Sequence, residues 1–184
     1  MKHYLMWAVI AICTLTLCDF QASAKDKAKG MRMEIVSVEQ NDNEFVIYTY
    51  KDEDGSENYY LSLGHEFRIS EEFGFEILGA SLSLVDDASL CLGSTRDEAV
   101  EFLNSLVDIF DEDVNYVASF PGRLSTGGGE RLGDATTINC VLKKKFIGGK
   151  YLQFQFESGK HHATADIGKT TLKRLISFFK KVKK

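Results

Sequence analysis

Three runs that read as strands, Thr136–Lys145, Tyr151–Glu157 and Lys160–Asp166, are separated by little more than Gly148-Gly149 and Ser158-Gly159. Connections that short fold each strand back beside the one before it, because a parallel neighbour needs a long crossover. The first half of the chain has the same character. Met31–Val38 and Glu44–Tyr50 flank the turn formers Gln40-Asn41-Asp42-Asn43, and Asp54-Gly55 sits between Phe45–Tyr50 and Tyr59–Leu63 as a hairpin signal. Further strands are expected at Phe67–Ile69, Phe75–Val85 and Ala88–Leu92, with Asp86-Asp87 as a tight turn. Leu82, Leu84, Leu90 and Leu92 alternate with polar or small residues, so this last pair has one buried face.

Two segments break the period of two. Thr95-x-x-Glu98 is a capping box, in which each side chain satisfies an orphan N–H of the other residue. Behind it Ala99, Val100, Phe102, Leu103, Leu106, Val107, Ile109 and Phe110 occupy one half of a helical wheel, and Asp97, Glu98, Glu101, Asn104, Ser105 and Asp108 the other. A second amphipathic helix is expected from Gly168 to Lys181, with Leu172, Leu175, Ile176 and Phe179 inward. Between the helices Val114–Phe120 reads as a short strand, and Pro121–Asp134, with five glycines, as a long loop. A loop of that length in a compact domain is often a binding segment, and Arg123, Glu130 and Arg131 are the polar groups it could present. The expected fold class is α+β: a largely antiparallel sheet built of meanders, readable as two β-meander–helix units, with two amphipathic helices packed on it.

The amino terminus sets the expected compartment. Lys2 and His3 precede the apolar run Leu5–Leu17, and Ala22-Ser23-Ala24 has the small-x-small pattern of a signal peptidase site. The run is too short to span a bilayer as a helix, which takes roughly 20 residues. Residues 1–24 are therefore read as a cleavable signal peptide and 25–184 as a single exported domain, periplasmic or secreted. Lipid attachment at Cys18 is the weaker alternative, since bulky Leu17 stands where such sites prefer a small residue. Cys91 and Cys140 remain after cleavage. In an oxidising compartment they either form one disulfide or stay as two small buried thiols, and sequence leaves both open.

Chemical motifs are sparse. Gly168-Lys169-Thr170 resembles the tail of a phosphate loop, but Ala163 stands where that motif needs glycine. Gly127 and Gly129 would need a third glycine at Leu132 to read as a dinucleotide fingerprint. His161 and His162 are adjacent on an expected strand, so they point to opposite faces and cannot share one metal. The acidic segment Asp52–Glu57 lies between strands, without the helices that flank a calcium loop. No G-x-S-x-G occurs, and both cysteines sit in apolar surroundings that leave a thiol inert. No catalytic residue, cofactor site or metal site is therefore assigned.

Charge is distributed unevenly. From Lys169 onward there are seven lysines and arginines and no acid, whereas Lys25–Gly168 carries 14 basic and 26 acidic residues. Lys173, Arg174, Lys180 and Lys181 are candidate contacts for an anionic surface such as phospholipid. The structural alternative is a core helix whose cations favour its own C-terminal dipole. The acidic total and the export signal disfavour nucleic acid. Three functions follow as expectations. The first is an exported non-catalytic domain binding an unknown protein or small-molecule ligand. The second is a peripheral membrane-surface protein using its basic C-terminal helix. The third is a small extracytoplasmic hydrolase.

Overall fold

A computed structural model describes residues 30–41, 43–52, 55–64, 87–125, 132–133, 135–158 and 161–182. The expected signal segment, the strands expected at 67–69 and 75–85, and the loop residues Glu130 and Arg131 lie outside the described residues. The described chain runs as β1 (Met31–Gln40), β2 (Asn43–Lys51), β3 (Glu57–Ser62), β4 (Asp87–Gly93), α1 (Arg96–Asp108, extended by a 3-10 turn Ile109–Asp111), β5 (Val117–Ser125), β6 (Ala135–Lys144), β7 (Lys150–Ser158), β8 (His161–Gly168) and α2 (Lys169–Lys181). Among the described residues strands in a meander followed by a helix occur twice, the order that the sequence leads one to expect, although the two further strands expected before α1 fall outside them.

All eight strands form one sheet in chain order, every neighbouring pair antiparallel. The two meanders are joined edge to edge through β4 and β5, whose register runs from Asp87↔Ser125 to Leu90↔Gly122. One face is apolar throughout: Phe45 and Ile47 on β2, Leu61 on β3, Leu90 on β4, and Ile138 and Leu142 on β6 are fully buried on it. Both helices lie against this face, so a single apolar cluster runs from Val38 to Phe179.

The helices are not placed equivalently. α1 packs on β4 and β3, within its own meander, and against α2. α2 follows β8 but packs chiefly on β1. The sheet therefore curls until its two end strands flank the same helix. Where they approach, Gln40 at the end of β1 fastens them. Its Nε2 donates to the Asp166 carbonyl at 3.0 Å, and its Oε1 accepts the Gly168 N–H at 2.9 Å. Gly168 is also the N-cap of α2, so one amide holds both the sheet corner and the entry to the helix.

The capping box on α1 forms as expected. Glu98 accepts from the backbone of Ser94 at 2.8 Å and Thr95 at 3.1 Å, and Thr95 Oγ1 accepts the Glu98 N–H at 3.2 Å. The Ser94 N–H above all holds the Glu98 carboxyl below its ordinary range. This contribution to stability is present above the ordinary carboxyl value and is lost as pH falls through the lowered one.

The expected loop at Pro121 is corrected. β5 continues through Pro121 and Gly122 to Ser125, paired with Thr137 and Thr136 on β6. Proline is tolerated because the β4 ladder ends at Leu90↔Gly122, so Pro121 stands where β5 has lost its neighbour on that side. Glycine is required next to it. A Cβ on Gly122 would lie 2.4 Å from Ile138 Cδ1 and 2.9 Å from the Ser89 carbonyl oxygen.

Gln40→Ala removes both bonds of the corner and leaves the Gly168 N–H short of an acceptor. It is expected to lower unfolding stability by about 1–3 kcal/mol in urea titration. Gly122→Ala is expected to cost more, because backbone as well as a core side chain would have to move.

Candidate binding surface at the lysine-rich end

Lys144↔Lys150 is the last pair of the β6–β7 ladder, so residues 145–149 form the hairpin tip. The Lys145 N–H reaches the Gly149 carbonyl at 3.4 Å, and Gly148 takes φ +130°, a conformation that glycine adopts without strain. This tip carries Phe146 at 103% exposure and Ile147 at 86%. Immediately before them stand Lys143, half-buried, and the exposed Lys144 and Lys145. Lys145 turns back, its ammonium 5.6 Å from the centre of the Tyr151 ring.

Neighbouring elements add to this end of the molecule. Leu142 accepts the Asn115 N–H at 2.7 Å and donates to the Tyr116 carbonyl at 2.9 Å, which draws the exposed Val114 and Val117 beside the end of β6. Tyr151 pairs with Gly168, which sets the first turn of α2 next to the hairpin base. There Lys169 binds Asp111 at 2.8 Å and lies over the Phe110 ring. That hydrogen bond and charge hold the exposed Asp111 carboxyl below the usual range, with Lys150 and Lys173 adding smaller attractions. Lys150 donates to the carbonyls of Phe110 and Glu112 at 3.0 and 2.6 Å, so it closes the 3-10 turn. Asp111 thus offsets Lys169 and, more weakly, Lys150 and Lys173, and among the described residues Lys143, Lys144, Lys145 and Lys173 form no close ion pair.

The predicted cations of α2 are all exposed: Lys173, Arg174, Lys180 and Lys181 share its outer face with Ser177 and the partly exposed Phe178. Arg174 lies 6.0 Å from the Phe178 ring centre. Leu172, Leu175, Ile176 and Phe179 are buried in the common core. The apolar side of this helix is therefore committed to the protein, and α2 can meet a surface chiefly through charge. The bland role holds as well. Lys180 and Lys181 stand in its last turn, and Arg96 of α1 donates to the Phe179 carbonyl and lies 4.9 Å from that ring.

Of the two states the sequence leaves open for the cysteines, the structure has the unbridged one, with the thiols on opposite faces. Cys140 lies between Ile138 and Leu142 on the helix-covered side, fully buried. Cys91 pairs with Tyr60 and packs on the other side with Tyr48 and Tyr50. The sheet itself stands between them, with β5 intervening, and both are cysteines outside any disulfide. Burial pushes the Cys140 thiol up to about 12.

Arg123, the described member of the candidate loop, belongs to β5, opposite Ser89. It donates to the Gly133 carbonyl at 3.3 Å, so it ties strand to loop. The helix-free face has two parts. At β2 to β4 Tyr48 stacks on Tyr60 at 5.3 Å, with the Arg32 guanidinium 4.1 Å over the Tyr48 ring and the Tyr48 hydroxyl on Ser89. At β5 to β8 polar groups satisfy one another: Ser119 with Asn139 at 2.7 Å, Gln155 with Gln153 at 2.9 Å, and Gln153 with the Asp166 carboxylate at 3.2 Å. Among the described residues no group of three or more His, Cys, Asp or Glu is placed to hold a metal, and no helix is long and apolar enough to cross a membrane.

The hairpin tip was not singled out from the sequence. Its signal was present: Phe146-Ile147 is an adjacent apolar pair beside Gly148-Gly149, where alternation has ended and nothing remains to bury it. Comparison with family models, curated proteins and solved structures finds no match.

Reduction is expected to leave the intact mass unchanged, where a bridge would add two hydrogens. An alkylating reagent should reach Cys140 only on unfolding. In the unfolded chain this thiol ionises near 9, so the fold, which favours the neutral form, loses stability as pH rises from about 9 to about 12. Cys140→Ala should flatten that part of the alkaline stability curve in urea titrations.

Proposed function

We propose that this chain is an exported, non-catalytic binding domain, and that it binds an anionic surface through its lysine-rich end. The observation that carries the reading is the placement of Lys143, Lys144 and Lys145 on a projecting hairpin, with Lys173 of α2 beside its base. The rest of the chain is acidic, so these cations stand out as a local positive field on a negative body. A basic side chain near an anionic membrane contributes about 1 kcal/mol before screening, and the effect fades beyond a Debye length of ~10 Å at 0.1 M salt. Four such groups support reversible, salt-sensitive association.

This reading moves the sequence expectation from α2 alone to the hairpin and the first turns of α2. Arg174, Lys180 and Lys181 extend the same charge along the helix.

Sedimentation with vesicles of phosphatidylcholine containing phosphatidylglycerol tests it. Binding is expected to weaken steadily with added salt, and the Lys143→Gln/Lys144→Gln/Lys173→Gln protein should bind roughly 10- to 100-fold less tightly at low salt. Equal affinity for pure phosphatidylcholine, or indifference to the triple substitution, would sink the reading.

A further inference from the structure

We infer that the β6–β7 hairpin inserts Phe146 and Ile147 into the headgroup–acyl boundary of an anionic phospholipid bilayer. The inference rests on the anionic-surface reading and names the surface. Two side chains of this size at near-complete exposure are unfavourable in water, and they occupy the outermost point of a projecting turn rather than a strand face. Among the described atoms nothing lies within 4 Å of where a Gly149 Cβ would sit, so the tip is open on that side.

The order of groups along the hairpin matches the layering of a bilayer. The apolar pair is foremost. Lys144 and Lys145 are exposed just behind it, at the height where phosphates would lie, and Lys145 is drawn further back by the Tyr151 ring. Tyr151, half-buried on β7, stands at the level favoured by amphipathic aromatic rings at membrane interfaces. A convex apolar tip with cations set behind it suits a deformable apolar layer beneath a negative one. A polyanion such as heparin offers the charge but no apolar layer, and would leave Phe146 and Ile147 in water.

The test uses the protein in the form recovered from its expressing host. Phe146→Gln/Ile147→Gln should lower affinity for phosphatidylglycerol-containing vesicles about 10- to 100-fold while leaving heparin binding and the salt dependence unchanged. Phe146→Trp, compared with the unsubstituted protein, should show a blue-shifted emission that is quenched by lipids brominated on their acyl chains. Unchanged vesicle affinity in the glutamine variant, or a tryptophan emission that stays water-like with vesicles bound, overturns insertion and leaves charge-driven binding standing. Absence of any vesicle binding by the unsubstituted protein overturns both.

Discussion

Every described element depends on one constraint: the eight strands bury the same face. Chain order is spatial order, through tight hairpins in each meander and with α1 bridging β4 and β5, so the apolar positions of the strands fall on one side of one sheet. A flat sheet of this width would leave that side wet. Two amphipathic helices, each following four strands, cover it, and the sheet curls around them into a single apolar cluster. Few polar groups then need a place inside. Thr49, Ser62, Ser89 and Thr171 are the polar side chains buried among the described residues, all hydroxyls that can bond locally.

The placement of α2 follows from the same requirement. Were the two halves strict copies, α2 would lie over β7 and β8 as α1 lies over β3 and β4. It crosses to β1 instead, because the curled sheet brings its far edge within reach and α1 already occupies the centre. This asymmetry leaves the outer side of α2 and the β6–β7 hairpin at one end of the molecule. Polar groups on the helix-free side of β5 to β8 are largely bonded to one another, whereas the hairpin carries charges and apolar atoms with no such neighbours.

Most of the architecture was legible in the sequence because its signals are local. The capping box fixed the start of α1 within the chain, and alternation with glycine turns located β6, β7 and β8 nearly to the residue. β5 was misread beyond Phe120, since Pro121 and Gly122 announce a loop to any local reading. Their tolerance depends on where β4 stops and on how closely the Ser89 backbone approaches. The state of the cysteines stayed open for a related reason. Each sits in an apolar strand, but which face it takes depends on a bulge between Tyr59 and Tyr60 and on register through four strands, and composition does not encode that. Of the candidate surface, the basic residues of α2 were visible as a run of charge. The tip at Phe146 was hidden because exposure is a property of the finished fold.

The Gln40 corner also bears on when the molecule can come into being. Its two bonds join residues 126 and 128 positions apart, and α2, the last of the described elements, covers β1, the first of them. Contacts between such distant parts of a chain form late, after the cost in loop entropy has been met by everything between them. A chain in which α2 has not yet docked would have β1 uncovered and part of its core open to water. Completion of the core is thus deferred until α2 has reached β1, so the topology alone makes closure of the fold a late, long-range event.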